Sequence, residues 1–188
     1  MRSLQKRGTV AALNGASDDD AVTEQAPGDT ATETRRSGGG HRLTVAVAVA
    51  AVVVVVDQIT KSWALHRLSS GPIHVVWTLD FALSRNTGSS FSLFQGHAVI
   101  LAVVAVVIMA ALLTLAWRSP SDGRAAVLGL IVGGALGNLS DRLFRGDHGA
   151  VVDFIALHWW PTFNVADASI VVGCILLVVS FLRGPAAS

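Results

Sequence analysis

The chain has 188 residues, of which 52% are apolar and only 14% charged, with a net charge of +1. A soluble domain carries roughly 25% charged residues, so the deficit points to a membrane protein, and the near-neutral balance gives nucleic acid no purchase. The single cysteine, Cys174, excludes an intramolecular disulfide framework and a cysteine-based zinc site.

Residues 1–41 differ from the rest. Asp18, Asp19, Asp20, Glu24, Asp29 and Glu33 stand among Gly, Ala, Thr and Ser without apolar periodicity, which is the composition of a disordered tail. No small-residue cleavage pattern follows the first apolar run, so a retained anchor is expected rather than a cleaved signal. A single domain, 42–184, follows. It carries four apolar runs at about 43–65, 98–117, 125–144 and 165–182, each close to the ~20 residues a helix needs to cross the hydrocarbon core. Trp63, Trp77, Trp117, Trp159 and Trp160 fall near the run ends, as an aromatic belt would.

Basic residues set the expected orientation. Arg2, Lys6, Arg7, Arg35, Arg36, Arg42, Arg118, Arg124 and Arg183 share one side, and Lys61, Arg67, Arg85, Arg142 and Arg145 the other. The side richer in Lys and Arg is cytoplasmic. Both termini are therefore expected in the cytoplasm, with loops 66–97 and 145–164 outside. In the first loop Ile73, Val75, Trp77, Leu79, Phe81 and Leu83 alternate with His74, Val76, Thr78, Asp80, Ala82 and Ser84. Period two predicts a strand with one apolar face, paired with a strand or turn through 86–94. The expected fold is an all-α integral membrane protein. It has four transmembrane helices and a small extracytoplasmic β-sheet, a cradle, between helices 1 and 2.

Asp57, Asp141, Asp153 and Asp167 lie at or near the ends of apolar runs, and Asp80 lies in a loop. A carboxylate at the hydrocarbon boundary is costly and marks a candidate functional site. Asp57 and Lys61 are four apart on one helical face and are expected to pair. Gly129, Gly133 and Gly137 form a small-residue ridge for close helix approach. Asp141 continues that ridge, with Asn138 and Arg142 beside it, and Arg142 is expected to satisfy a carboxylate. Asn164 and Asp167 share a face at the start of the fourth helix, and Asp153 precedes Asp167 by 14 residues, enough chain to turn back. Two carboxylates brought together share one proton and supply a base and an acid. The histidines show no helical ligand spacing, and Lys61 and Ser62 are neighbours that do not face each other, so zinc and Ser/Lys chemistry fare worse. A small transporter or ion-conducting bundle with relay carboxylates is the alternative. Against it, the acids cluster at one end of the runs, and 101–116 and 168–182 hold no charge.

Five blocks carry a family resemblance: Asp57-Gln58-Ile59-Thr60-Lys61, Asn86-Thr87-Gly88-Ser89-Ser90-Phe91-Ser92, Gly133 through Arg142, Val152-Asp153-Phe154, and Phe163-Asn164-Val165-Ala166-Asp167. In this order the chain resembles the lipoprotein signal peptidases, or signal peptidase II, over about 43–184. The resemblance implies an aspartic endopeptidase of the bacterial cytoplasmic membrane. Such an enzyme cleaves diacylglyceryl-modified prolipoproteins just before the lipidated cysteine, with no metal or cofactor. It implies Asp153 and Asp167 as catalytic residues. It implies Asp57, Lys61, Asn86, Gly88, Asn138, Asp141, Arg142, Asn164 and Ala166 as substrate-binding or supporting positions. A monomer in contact with membrane lipid is expected. Ser89 and Ser90 depart from the alanines common in the family and bear on substrate fit.

Overall fold

The computed structural model describes residues 29–87, 98–145 and 149–183, with the backbone alone over 29–37 and 98–102. Among the described residues four helices follow one another: α1 (Asp29–Arg67), α2 (Ala98–Trp117), α3 (Asp122–Phe144) and α4 (Val165–Leu182). Four strands intervene, β1 (Ile73–Val76) and β2 (Leu79–Asn86) after α1, and β3 (Val151–Leu157) and β4 (Trp160–Phe163) after α3. They form one antiparallel sheet in the order β1-β2-β3-β4. Among the described residues, 38–67, 122–144 and 165–182 are long and apolar enough to cross a membrane. The 20-residue α2 contains no charged residue.

Local chemistry sets the helix ends. Ser121 caps α3, its side chain accepting from the Arg124 amide at 3.3 Å. Asn164 caps α4 in a reciprocal box with Asp167. After α1 the chain turns at Gly71, whose φ of 138° only glycine adopts readily.

Helix α3 is the centre of the bundle. Its glycine ridge meets α1, where Ala46, Ala50, Val53, Asp57 and Lys61 are buried at helical spacing. A Cβ on Gly133 would stand 2.8 Å from the Ala50 carbonyl oxygen, and one on Gly137 2.6 Å from Asp57 Oδ2. Gly134 faces α4 in the same way, against Ala166, Ser169 and Ile170. Such contacts replace the hydrophobic drive that lipid removes between helices. Gly133→Ala is therefore expected to cost about 1–3 kcal/mol and to lower the melting temperature in detergent. Gly123→Ala, with open space around it, should not; equal melting points for the two would contradict the ridge.

Two expectations are corrected. Helix α1 begins at Asp29, not near Leu43, so 29–41 is helical rather than disordered; residues 1–28 lie outside the described part. The absence of an apolar stripe over 29–41 removes a membrane signal, not helical hydrogen bonding. Gly38–Gly40, which fall within the expected tail, include a close approach. Any Cβ at Gly39 would overlap the Trp117 indole, and His41 Nε2 lies 3.3 Å from Asp122 Oδ2. The sheet also differs. The alternation over 73–84 spans a hairpin turning at Trp77–Thr78. The two-residue turn pairs Val76 with Leu79, and a register shift between His74 and Val76 restores the phase, so Ile73 opposes Phe81 and His74 opposes Asp80. The other two strands of the described sheet come from between α3 and α4; of 86–94, where a partner strand or turn was expected, residues 88–94 lie outside the described residues.

Candidate active site

The sheet meets the bundle where the helices place their polar residues. The expected Asp57–Lys61 pair forms, with Nζ 2.8 Å from Asp57 Oδ2. It is part of something larger. Lys61 is fully buried and its ammonium also reaches Asp141 Oδ2 and Asn138 Oδ1, each at 3.0 Å. All three ammonium hydrogens have acceptors. Asp57 spends its other oxygen on the Ala166 amide of α4, at 3.0 Å. Ala166 thus contributes its backbone and its small size.

Asp141 ties α3 to the sheet. Its Oδ2 accepts from the Val152 amide at 3.1 Å, and its Oδ1 from Arg145 Nε at 2.7 Å and Gln58 Nε2 at 3.0 Å. Arg145 Nη2 closes the ring onto Gln58 Oε1 at 2.9 Å. The arginine expected to satisfy a carboxylate was Arg142. That side chain instead donates to the Gly149 carbonyl at 3.3 Å. Residues four apart on a helix stack over one another, and Arg145, not Arg142, stands four after Asp141. That spacing was the signal available for Arg145. Gln58 offered less, since only tertiary packing brings it to α3.

Asp153 and Asp167 are joined by two asparagines. Asn164 Nδ2 donates to Asp153 Oδ1 at 2.6 Å, and also approaches Asn138 Oδ1 at 3.1 Å and the Val152 carbonyl at 3.3 Å. Asn138 Nδ2 donates to Asp167 Oδ1 at 2.8 Å. Asp167 Oδ2 accepts from the Asn164 amide at 3.2 Å, while the Asp167 amide donates to Asn164 Oδ1 at 2.9 Å. Asn86, at the end of β2, hydrogen-bonds to Asp153. Gly88, Ser89 and Ser90 lie outside the described residues.

Electrostatics separates these carboxylates into two groups. Asp57 and Asp141 have Lys61 and Arg145 against them. Asp153 and Asp167 have amides. Burial pushes the Asp153 carboxyl up to about 6; the Asp167 charge acts in the same direction, against the hydrogen bonds of Asn86 and Asn164 and the more distant Lys61 charge. Asp153 and Asp167 thus share a cradle of uncharged donors, in which the charge of Asp167 disfavours the ionised form of Asp153.

A sequence model of the family described as Signal peptidase (SPase) II matches residues 49–183. The chain belongs to the signal peptidase II family. A "Lipoprotein signal peptidase" of Mycobacterium tuberculosis is 39% identical over 175 residues, covering 90% of this chain and 86% of the relative. One of Mycolicibacterium smegmatis is 42% identical over 164 residues, covering 85% of this chain and 68% of the relative. Among solved structures, one described as "Bacterial membrane enzyme structure by the in meso method at 1.9 A resolution" matches with a TM-score of 0.66 and 27% identity, over 74% of this chain and 93% of that one. The fold and the family therefore agree, and signal peptidase II membership sets aside the ion-conducting alternative.

Proposed function

We propose that Asp153 and Asp167 are the catalytic carboxylates of this membrane signal peptidase, which removes signal peptides from prolipoproteins. The observation that carries the proposal is the bridge Asp153–Asn164–Asn138–Asp167, which holds two carboxyls by amide donors while Lys61 and Arg145 are engaged by Asp57 and Asp141. Asp167 is the base. It sits in the first turn of α4 and accepts from Asn138 and the Asn164 amide, and a helix N-terminus favours the anion. Asp153, buried and raised, holds the proton and is the acid.

Water lies between the carboxyls and the scissile carbonyl. Asp167 takes a water proton as the oxygen attacks the carbonyl carbon, and Asp153 gives its proton to the carbonyl oxygen. The tetrahedral diol then collapses, Asp153 recovers a proton from a hydroxyl, and Asp167 returns its own to the leaving nitrogen. The C–N bond breaks with the pair restored to one proton. In this reading Asn86, Asn138 and Asn164 orient the acids, and Asp57, Lys61, Asp141 and Ala166 hold α1, α3, α4 and β3 in register. Gly88 is kept among the substrate-side positions on its place in the motif block. Arg142 supports the turn into β3 by its bond to Gly149.

The substrates are diacylglyceryl-modified prolipoproteins, cut before the lipidated cysteine. The basic residues support a topology with both termini cytoplasmic and the carboxyls near the outer boundary, where a lipid-tethered peptide reaches them. The enzyme is a monomer, with residues 42–184 sufficient for the active domain. The assay is a mobility shift of a lipidated prolipoprotein treated with purified enzyme, run across pH. Only the singly protonated pair is competent, so kcat/KM should fall on the alkaline side with an apparent pKa of the pair near about 6 in the free enzyme. A rate for the lipidated precursor that stays flat through this range would count against a shared proton.

A further inference from the structure

Both hairpin turns of the sheet lie at the same end. Val76 opposes Leu79, Leu79 opposes Leu157, and Leu157 opposes Trp160. The tips beyond that row therefore stand side by side. They are apolar and bare: Trp77 is 87% exposed, Trp159 71%, Trp160 58% and Val76 62%. Trp159 and Trp160 meet edge to face, with ring centroids 6.0 Å apart. Asp80 clips the tips together from β2, with His74 Nδ1 of β1 at 2.6 Å and His158 Nε2 of the second turn at 3.2 Å. Trp77 has φ 53°, a left-handed backbone that a bulky side chain occupies only under strain.

The sheet's path shows where the tips go. β3 starts on α3, at the Val152–Asp141 bond, and Phe154 packs with Ala64 of α1 and with Leu68 just beyond its end. Phe81 and Phe154 then contact Trp63, at centroid distances of 5.4 and 6.2 Å. Trp63 shares a helical face with Val52, Val56 and Ile59, all exposed on the bundle, which is the face α1 gives to lipid. From Val152 to Leu157 a strand covers about 16 Å, whereas neighbouring helix axes lie about 8–10 Å apart. The tips therefore extend past α1 on the side of its exposed face.

We propose that these tips form a second membrane contact. Trp77, Trp159, Trp160 and Val76 seat in the headgroup boundary of the bilayer beside α1 and hold the sheet, with Asn86 and Asp153 at its other end, over the bundle. Tryptophan has an apolar body and a polar N–H suited to that layer. The surface is continuous with the lipid face of α1, which makes phospholipid the occupant. The inference rests on the membrane placement of the chain and not on the assignment of Asp153 and Asp167.

The test uses the full chain in phosphatidylcholine–phosphatidylglycerol vesicles, with and without phosphatidylcholine brominated high on its acyl chains. The wild type is compared with the W77G/W159S/W160S variant, and the difference emission isolates the tips from Trp63 and Trp117. At least about half of that difference emission should be quenched by the brominated lipid, as for an interfacial indole. The variant should show a raised KM for lipidated prolipoprotein in vesicles with little change in kcat. If the variant does not fold, W77G alone, which relieves the backbone strain, gives the same comparison. Tip emission indifferent to brominated lipid and quenched by aqueous iodide would overturn the proposal. So would emission protected only at high protein density, which would indicate a contact between copies.

Discussion

Asp153→Asn and Asp167→Asn should each reduce turnover by about three orders of magnitude or more, in line with losing general acid–base chemistry. Asparagine reproduces the shape and the hydrogen bonds to Asn164 and Asn138 but neither accepts a proton from water nor delivers one to the carbonyl oxygen. The inactive variants should still insert and bind substrate. Asp153→Asn should also melt higher than the wild type at neutral pH. The sign follows from the raised carboxyl. Its ordinary value of 3.8 becomes about 6 in the folded chain, so the folded state holds more protons than the unfolded one between these values. Stability is then lost as pH rises from about 4 through about 6, by on the order of 3 kcal/mol as an upper bound. The asparagine avoids that loss, and its advantage should vanish below about pH 4. Substantial turnover by either variant would remove the dyad, whereas a lower melting point for an inactive Asp153→Asn would make its inactivity a folding defect.

Lys61→Met should be the most damaging change outside the carboxyl pair. The ammonium is fully buried, and its three acceptors come from α1 and α3. Without it Asp57 and Asp141 face each other with no cation between them, and Arg145 reaches only the far oxygen of Asp141. Breaking a buried pair from one side costs about 3–5 kcal/mol, a large share of the roughly 5–15 kcal/mol that holds a domain folded, so folded yield should drop sharply. Asn138 also loses one of the two donors to its oxygen, leaving Asn164 Nδ2 alone to hold the amide toward Asp167. Adding Asp57→Asn to Lys61→Met should restore part of the folded peak on size exclusion, because one uncompensated charge is gone. A Lys61→Met protein with wild-type yield and melting point would show that the cluster contributes little. Arg142→Ala, by contrast, removes an exposed bond to one carbonyl and should be mild.

Much of this protein was legible along the chain because its signals are local. The apolar runs place α2 and α4 at the residues where the structure has them, since length and hydropathy suffice to define a span. Asp57 with Lys61 and Asn164 with Asp167 were readable as well, because helical spacing alone brings them together. The glycine ridge of α3 could be recognised, though not which helix it meets. Motif order was enough to mark Asp153 and Asp167 as the acids to examine.

What remained undecided depended on contacts between distant segments. The hairpin at Trp77–Thr78 was hidden because its alternation continues unbroken through the turn. β3 and β4 were hidden because a short strand is identified by the strand it pairs with, and β3 pairs with residues more than sixty positions earlier. Helix α1 extends back to Asp29, and the packing of Gly39 against Trp117 could not be read from three consecutive glycines. The sequence determined which residues could bear charge at the membrane boundary. Only the tertiary structure decided which carboxylates Lys61 and Arg145 neutralise and which pair is left to amide donors, because that division depends on distances of about 3 Å between α1, α3, α4 and β3.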